Sequence, residues 1–459
     1  MGILLFGIDA NALSLTVDTS IENGSTNDKQ FKVFVSSIET GFNYSVDCDS
    51  DGTYEAQNLT RSYTCEYSQS GRYDITIDGT FPKIRFGGDK DKIKIVALTS
   101  WGTQAYTSFD NAFYYAKNLD INATDIPDLS RMTSFQSAFA NIKRISSDIS
   151  QWDVSQVKSM SNTFFSLHKF NQDIGDWNVS NVTDMSFMFS SCFHFNQDLS
   201  RWDVSNVKNM HYMFQTAAEF NQDIGDWNVS GVTDMEGMFR EAQIFDKDIG
   251  RWNVAQVSNM SRMFDMAYKF NQNLGDWNIE NVEEMYDIFA NVNLSVSNYD
   301  DTLFGWDSGQ RRDDVDMNSV DAYYCNELGR LELLDSGWII DDQGENCDYV
   351  INEFSPSQLK VLSGSKRVVT ISTHANNATP TYSIAGGSDG SLFTIERTSG
   401  LLSFKAAPDY FRPKDSNRDN IYRVQVKSTD GAQSDVKSLK VEVLRNDGIL
   451  TPVIMYLLN

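Results

Sequence analysis

At 459 residues the chain has room for roughly three or four domains, and 63 acidic against 38 basic residues leave a formal charge of −25. That balance disfavours unassisted binding to nucleic acid or to an anionic membrane surface. No apolar stretch approaches the ~18 residues needed to cross a bilayer, so membrane insertion is not expected.

Residues 1–29 read as an N-terminal extension or edge strand. From 30 to 94, short alternating runs such as Phe31-Lys32-Val33-Phe34-Val35 and Tyr73-Asp74-Ile75-Thr76-Ile77 are punctuated by Gly41, Gly52, Gly71 and Gly79. That pattern predicts a small β-sandwich. Cys48 and Cys65 flank a hairpin-like segment and are expected to pair, which places the chain in an oxidising compartment. Between them Asp47, Asp49, Asp51 and Gly52 form a D-x-D-x-D-G string. It reads either as a calcium site or as a polar β-turn pinned by the disulfide; an EF-hand would need a glutamate where Asn58 stands.

From 95 to 299 a 25-residue unit recurs, with Trp152, Trp177, Trp202, Trp227, Trp252 and Trp277 in one column. A Val or Ile lies two residues after each Trp and a Val five after, giving I-x-x-W-x-V-x-x-V, which reads as a short strand. Met185, Met188, Phe189 and Cys192 then fall at i, i+3, i+4 and i+7, one face of a helix, with Cys192 as a buried thiol. The fold class expected is an α/β solenoid of about eight strand-helix units flanked by two all-β sandwiches.

The polar columns carry further information. The residue before each Trp runs Gln151, Asp176, Arg201, Asp226, Arg251, Asp276, so stacked like charges are avoided. Asp148, Asp173, Asp198, Asp223 and Asp248 do not alternate and read as a ladder of Asx turns or as a row of cation sites. Asn178, Ser180, Asp203, Ser205, Asn228 and Ser230 are the expected binding face, as rows on an exposed strand surface. His168, His194, His211 and His374 share no metal spacing, and no catalytic residue or cofactor is expected.

The units FNQDIGDWNVSNVTDMSFMF and FNQDIGDWNVSGVTDMEGMF resemble the repeat of bacterial BspA-like leucine-rich-repeat surface proteins. The resemblance implies a secreted, non-enzymatic protein that adheres to protein or carbohydrate on a cell or matrix surface; it transfers no binding residues. The frame of 30–94 is similar to polycystic-kidney-disease-type immunoglobulin-like domains, with Cys48-Asp49-Ser50-Asp51-Gly52 replacing the usual W-G-D-G turn.

Residues 300–349 read as the C-terminal cap of the repeat, closed by Trp306, Leu328, Leu331, Leu334 and Trp338-Ile339-Ile340 and fixed by a Cys325–Cys347 disulfide. From 350 to 447, Tyr382-Ser383-Ile384, Phe393-Thr394-Ile395 and Tyr422-Arg423-Val424-Gln425-Val426 alternate as strands. Through YSI, LFTIERTSGLLSF, DSNRDNIYRVQV and STDG this segment resembles bacterial cadherin-like domains. The resemblance implies calcium, with Asp409, Asp415, Asn417, Asp419, Asp430, Asn446 and Asp447 as the matching ligands, although Phe411 stands where the family has a glutamate. The apolar extension 448–459, with Leu4–Ile8, suggests self-association through terminal strands. An extracellular filament or surface-layer subunit is therefore the alternative to an adhesin.

Overall fold

Nine short strands open the chain in the computed structural model, which describes residues 12–324, 327–344, 358–370, 381–430 and 433–445. They are β1 (Leu13–Asp18), β2 (Gln30–Val33), β3 (Asn43–Asp47), β4 (Ala56–Leu59), β5 (Tyr63–Glu66), β6 (Arg72–Thr80), β7 (Ile95–Ser100), β8 (Asp120–Ile121) and β9 (Arg144–Ile145). Seven form one sheet in the order β4-β3-β6-β1-β7-β8-β9, and β2 pairs with β5 alone.

β1 corrects the expectation for 1–29. It lies between β6 and β7, antiparallel to both, and is neither an extension nor an edge. Leu13, Leu15 and Val17 on one face are fully buried, whereas Thr16 and Asp18 on the other are half-buried. The Cys48–Cys65 disulfide forms, with Cα atoms 5.7 Å apart, joining the end of β3 to β5 and so one sheet to the other.

Beyond β7 the pairing turns parallel through β8 and β9. Here the expected α/β solenoid of strand-helix units is overturned. Between Ile145 and Val296 there is neither helix nor strand, and the only α-helices among the described residues are α1 (Val296–Ser308) and α2 (Glu327–Asp335). The regular structure is mostly β, in five separate sheets.

Local hydrogen bonding explains the difference. The segment expected as a strand folds into successive turns: Trp177 N–H donates to Ile174 O at 3.1 Å and Val182 N–H to Val179 O at 2.9 Å. In the segment expected as a helix, Phe187 and Ser191 sit at φ of 54° and 60°, as do their counterparts Tyr212 and Thr216 at 52° and 56°. A left-handed residue other than glycine costs about 1–2 kcal/mol and ends a helix. Offsetting that cost, the N–H groups of Met185, Phe187, Phe189 and Ser191 donate to Asn209, His211, Met213 and Gln215 in the next repeat.

Neighbouring repeats therefore lie in parallel register, joined by single bridges from Ser134 through Ser159, Asp184, Asn209, Asp234 and Asn259 to Glu284. The apolar columns are buried as a set: Trp177, Val179, Val182, Met185, Met188, Phe189, Cys192 and Phe195 are all at most 3% exposed. Phe189 stacks on Phe195 at 4.0 Å within its repeat and on Phe214 at 5.5 Å in the next.

After the last repeat, Trp306 on α1 donates from Nε1 to Leu274 O at 2.9 Å, and Thr302 Oγ1 accepts from Leu274 N at 3.0 Å. β10 (Asp316–Met317) and β11 (Ile339–Ile340) pair in parallel. Trp306, Leu333 and Trp338 are buried, but Leu331 and Ile339 are 41% and 57% exposed, so the apolar surface expected to close the repeat is smaller than the sequence suggested. Cys325 and Cys347 lie outside the described residues.

The chain divides into two units, the first made of Met1–Leu294, Asp301–Ala322 and Gly329–Gln343, the second of Ser295–Asp300, Tyr323–Leu328 and Gly344–Asn459. In the second, β12 (Gln358–Leu362), β13 (Arg367–Thr370), β14 (Thr381–Gly386), β15 (Phe393–Ile395), β16 (Leu401–Phe404), β17 (Ile421–Asp430) and β18 (Gln433–Leu444) form two sheets, β12-β18-β17-β14 and β13-β16-β15. Their core is Tyr382, Phe393, Leu402, Phe404, Tyr422, Val424, Val426, Leu439, Val441 and Val443.

Candidate functional site

Each corner of the repeat is built by a side chain that accepts a hydrogen bond from the backbone two residues on. Asp148, Asp173, Asp198, Asp223 and Asp248 accept from the N–H of Ser150, Gly175, Ser200, Gly225 and Gly250 at 2.9–3.1 Å. The column expected as either Asx turns or cation sites is thus an Asx-turn ladder. The Ser150 N–H holds the Asp148 carboxyl below its usual range, and the Ser200 N–H does the same for Asp198.

The expected binding face uses the same device. Asn178 Oδ1 accepts from Ser180 N and Oγ at 3.2 and 2.7 Å, Asn228 from Ser230 N and Oγ at the same distances, and Asp203 from Ser205 N at 3.1 Å. All six residues recur at equivalent places in consecutive repeats. Asn178, Asp203 and Asn228 are exposed and the serines half-buried, on turns and not on a strand.

A second ladder runs alongside. Asn171 Oδ1 accepts from Asn196 N at 3.0 Å, Asn196 Oδ1 from Asn221 N at 2.9 Å, and Asn221 Oδ1 from Asp246 N at 3.0 Å. Gln197 and Gln222 donate into it at 2.9 and 2.8 Å. The alternation of charge before each Trp produces the Arg201–Asp176 contact at 2.6 Å. His168 stacks on Phe193 at 4.5 Å, His194 meets Glu219 at 2.8 Å, and His211 lies 3.5 and 3.4 Å from Asp234 and Glu236. His374 is outside the described residues. Cys192 is a buried free thiol, and burial pushes it strongly upward from its ordinary value.

In the N-terminal acidic turn, Asp47 is 4% exposed and accepts from the N–H groups of Asp49, Asp51 and Gly52 at 3.3, 3.3 and 2.9 Å. Asp51 serves Thr53 N instead, at 2.8 Å. The carboxylates brought together are Asp47, Asp49 and Glu55, one oxygen of each lying within 4.8 Å of the others. Glu55 was not singled out by the D-x-D-x-D-G spacing, because a turn and not a helical loop returns it. Its Oε2 also accepts from Cys48 N at 2.7 Å.

In the second unit the loop before β17 gathers Asp415, Asn417 and Asp419, while Asp409 accepts from Phe411 N at 3.0 Å. Asp430 ends β17, with its carboxylate outside the described structure, as are Asn446 and Asp447. Asp389, which the sequence did not reveal, is 2% exposed and anchors this loop by accepting from Ser416 N at 2.6 Å and Arg423 N at 2.8 Å. Burial raises its carboxyl, and these N–H groups more than offset that, leaving it below its usual range. Asp419 is held at about 2 by the Ile421 N–H, with Asn417 and Arg423 adding to the effect. Its Oδ2 accepts from Asn417 at 2.7 Å and meets Arg423 at 3.2 Å. In this loop Asp415 Oδ1 and Asn420 Oδ1 are buried without a hydrogen-bond partner among the described residues. The cation beside Asp419 in this loop is the Arg423 guanidinium.

Residues 107–222 and 195–306 match the family model described as "Mycoplasma protein of unknown function, DUF285". No curated protein sequence matches the chain. Among solved structures, human protocadherin-24 EC1-2 is similar at 14% identity over 19% of this chain and 39% of that one, with a TM-score of 0.17. Cadherin domains 3–6 of protocadherin gamma B2 match at 15% identity over 19% and 20% of the two chains, with a TM-score of 0.16. Domains 1–4 of protocadherin gamma B7 match at 19% over 24% and 28%, also at 0.16. The chain thus spans well under half the length of these structures, and the sandwich assignment of the second unit rests on its own strands. No helix among the described residues is long and apolar enough to cross a membrane.

Proposed function

We propose that this is a secreted surface protein whose repeat region acts as a non-enzymatic adhesion or recognition module. The observation that carries this reading is the recurrence of one exposed side-chain set in consecutive repeats, with Asn178, Asp203 and Asn228 at equivalent turns. A contact made once by such a surface is offered again by the next repeat, so weak contacts add through effective concentration. The Cys48–Cys65 disulfide supports an extracellular address, since such bonds persist in oxidising compartments.

The full chain applied to an array of glycans and matrix proteins tests the proposal. Binding to at least one class, weakened when Asn178, Asp203 and Asn228 are together replaced by Ala, is the expected outcome. A blank array, or binding indifferent to those replacements and to all other exposed repeat positions, removes the adhesive reading.

A further inference from the structure

The repeat carries a ridge of exposed residues immediately after the buried column Ala116, Ile142, Leu167 and Cys192. The equivalence is fixed by the backbone: Phe113 N–H donates to Ala138 O, Phe139 N–H to Thr163 O and Phe164 N–H to Met188 O, each reaching the next repeat. Lys117, Lys143, His168 and Phe193 therefore hold one position in four consecutive repeats, and Arg144, Lys169 and His194 the position after it. All seven are exposed.

This ridge reverses the charge of the molecule. Acids outnumber bases by 63 to 38 in the chain, yet along these four repeats the ridge bears no acid: it has cationic, imidazole and aromatic groups, with Asn118 as the one neutral polar member. Arg144 pairs with Asp120, and His194 with Glu219 at 2.8 Å. Lys117, Lys143 and Lys169 form no ion pair with any described residue. Paired strands lie about 4.8 Å apart, and like charges at such spacing repel by about 1 kcal/mol even in water.

Elsewhere the repeat removes that repulsion. The column before each Trp alternates in sign, and the non-alternating Asp148–Asp248 column has a backbone N–H for each carboxylate. Lys143 has the Asp120 carboxylate near it without an ion-pair contact, and Lys117 and Lys169 have neither remedy. Beside them, the His168 and Phe193 rings stack with centroids 4.5 Å apart and planes 6° from parallel, and both rings are exposed; Tyr115, in the repeat of Lys117, is 40% exposed.

We infer that this ridge is a binding site for a linear acidic polysaccharide, its carboxylate or sulfate groups meeting Lys117, Lys143 and Lys169 in turn and a sugar face lying on the His168–Phe193 pair. The spacing suits a polymer running from repeat to repeat, because the cations recur along that direction and not around it. This goes beyond the adhesive reading, since the ridge is a surface distinct from the Asn178, Asp203 and Asn228 turns and is given its own ligand class.

The test uses the full chain and two probes, dextran sulfate and polygalacturonate, against neutral dextran. The variant Lys117→Ser/Lys143→Ser/Lys169→Ser is compared with Lys158→Ser/Lys208→Ser/Lys247→Ser, which removes the same charge from other columns. The expected result is affinity for one or both acidic polymers, falling with salt, that drops about tenfold or more in the ridge variant and by less than about twofold in the control. Phe193→Ala lowers the affinity without changing its salt dependence. No binding of either acidic polymer, equal loss in both triple variants, or equal binding of neutral dextran overturns the proposal. Array binding that survives in the ridge variant would leave the adhesive reading standing while the polysaccharide site falls.

Discussion

Trp227 donates its indole N–H to the Leu199 carbonyl of the preceding repeat at 3.0 Å, and the same bond recurs from Trp177 to Ile149, from Trp202 to Ile174, from Trp252 to Ile224 and from Trp277 to Ile249. The tryptophan column is therefore a hydrogen-bond ladder as well as an apolar one. Each of these carbonyls also accepts the backbone N–H of the Trp in its own repeat, so the indole adds a second donor and satisfies its own buried N–H.

Trp227→Phe keeps most of the apolar volume and removes one of the two donors to Leu199 O, leaving the Trp202 N–H at 3.0 Å. A net intramolecular hydrogen bond contributes about 0.5–1.5 kcal/mol. Urea unfolding followed by far-ultraviolet circular dichroism should show a lower midpoint with little change in slope. An unchanged midpoint would mean that the ladder contributes nothing beyond packing.

Gly305 on α1 faces Gly275 in the last repeat, and a Cβ at Gly305 would fall 2.3 Å from Gly275 O and 2.4 Å from its Cα. Backbone stands on both sides, so neither can yield cheaply. Gly305→Ala should force α1 off its seat, strain Trp306 Nε1 from Leu274 O, and cost about 1–3 kcal/mol. Thermal melting of the variant beside the parent chain measures this.

Asp307 and Arg311 form an ion pair at 3.2 Å on α1 and the turn after it, yet burial pushes Asp307 up to about 6, outweighing the guanidinium. A carboxyl raised in the folded state binds its proton more tightly there than in the unfolded chain, so this group's contribution falls as pH rises from about 4 to about 6. Above that range its cost is constant. Asp307→Asn should flatten stability between pH 4 and 6 and leave it equal or higher at pH 7; equilibrium unfolding across that range checks the sign.

Cys48 and Cys65 close a loop of 17 residues between the two N-terminal sheets. Replacing both with Ala should destabilise this region by about 2–4 kcal/mol. The effect should be reproduced by adding a reductant to the parent chain and be absent when reductant is added to the variant.

Much of the interior was legible from residue order alone. The period of 25, the buried Trp, Val, Met and Phe columns, the alternation of Asp176 and Arg201 and the buried thiol of Cys192 all follow from spacing and residue type. The secondary structure did not follow. Met185, Met188, Phe189 and Cys192 face inward at helical spacing, but Phe187 and Ser191 are left-handed and their N–H groups bond the next repeat. An inward-facing pattern records which side chains are buried, and a chain of turns buries the same ones as a helical turn.

The acidic sites show the same division. Spacing identified Asp47 and Asp49 but not Glu55, and Asp415 and Asp419 but not Asp389, which reaches them from another loop. The sequence by itself determined what repeats, which columns are apolar and where charges alternate, because these depend on residues a fixed number apart. Only the tertiary structure decided that N–H groups bond between repeats, that β1 is central, and that Lys117, Lys143 and Lys169 share one ridge, because each depends on which distant backbone a residue meets.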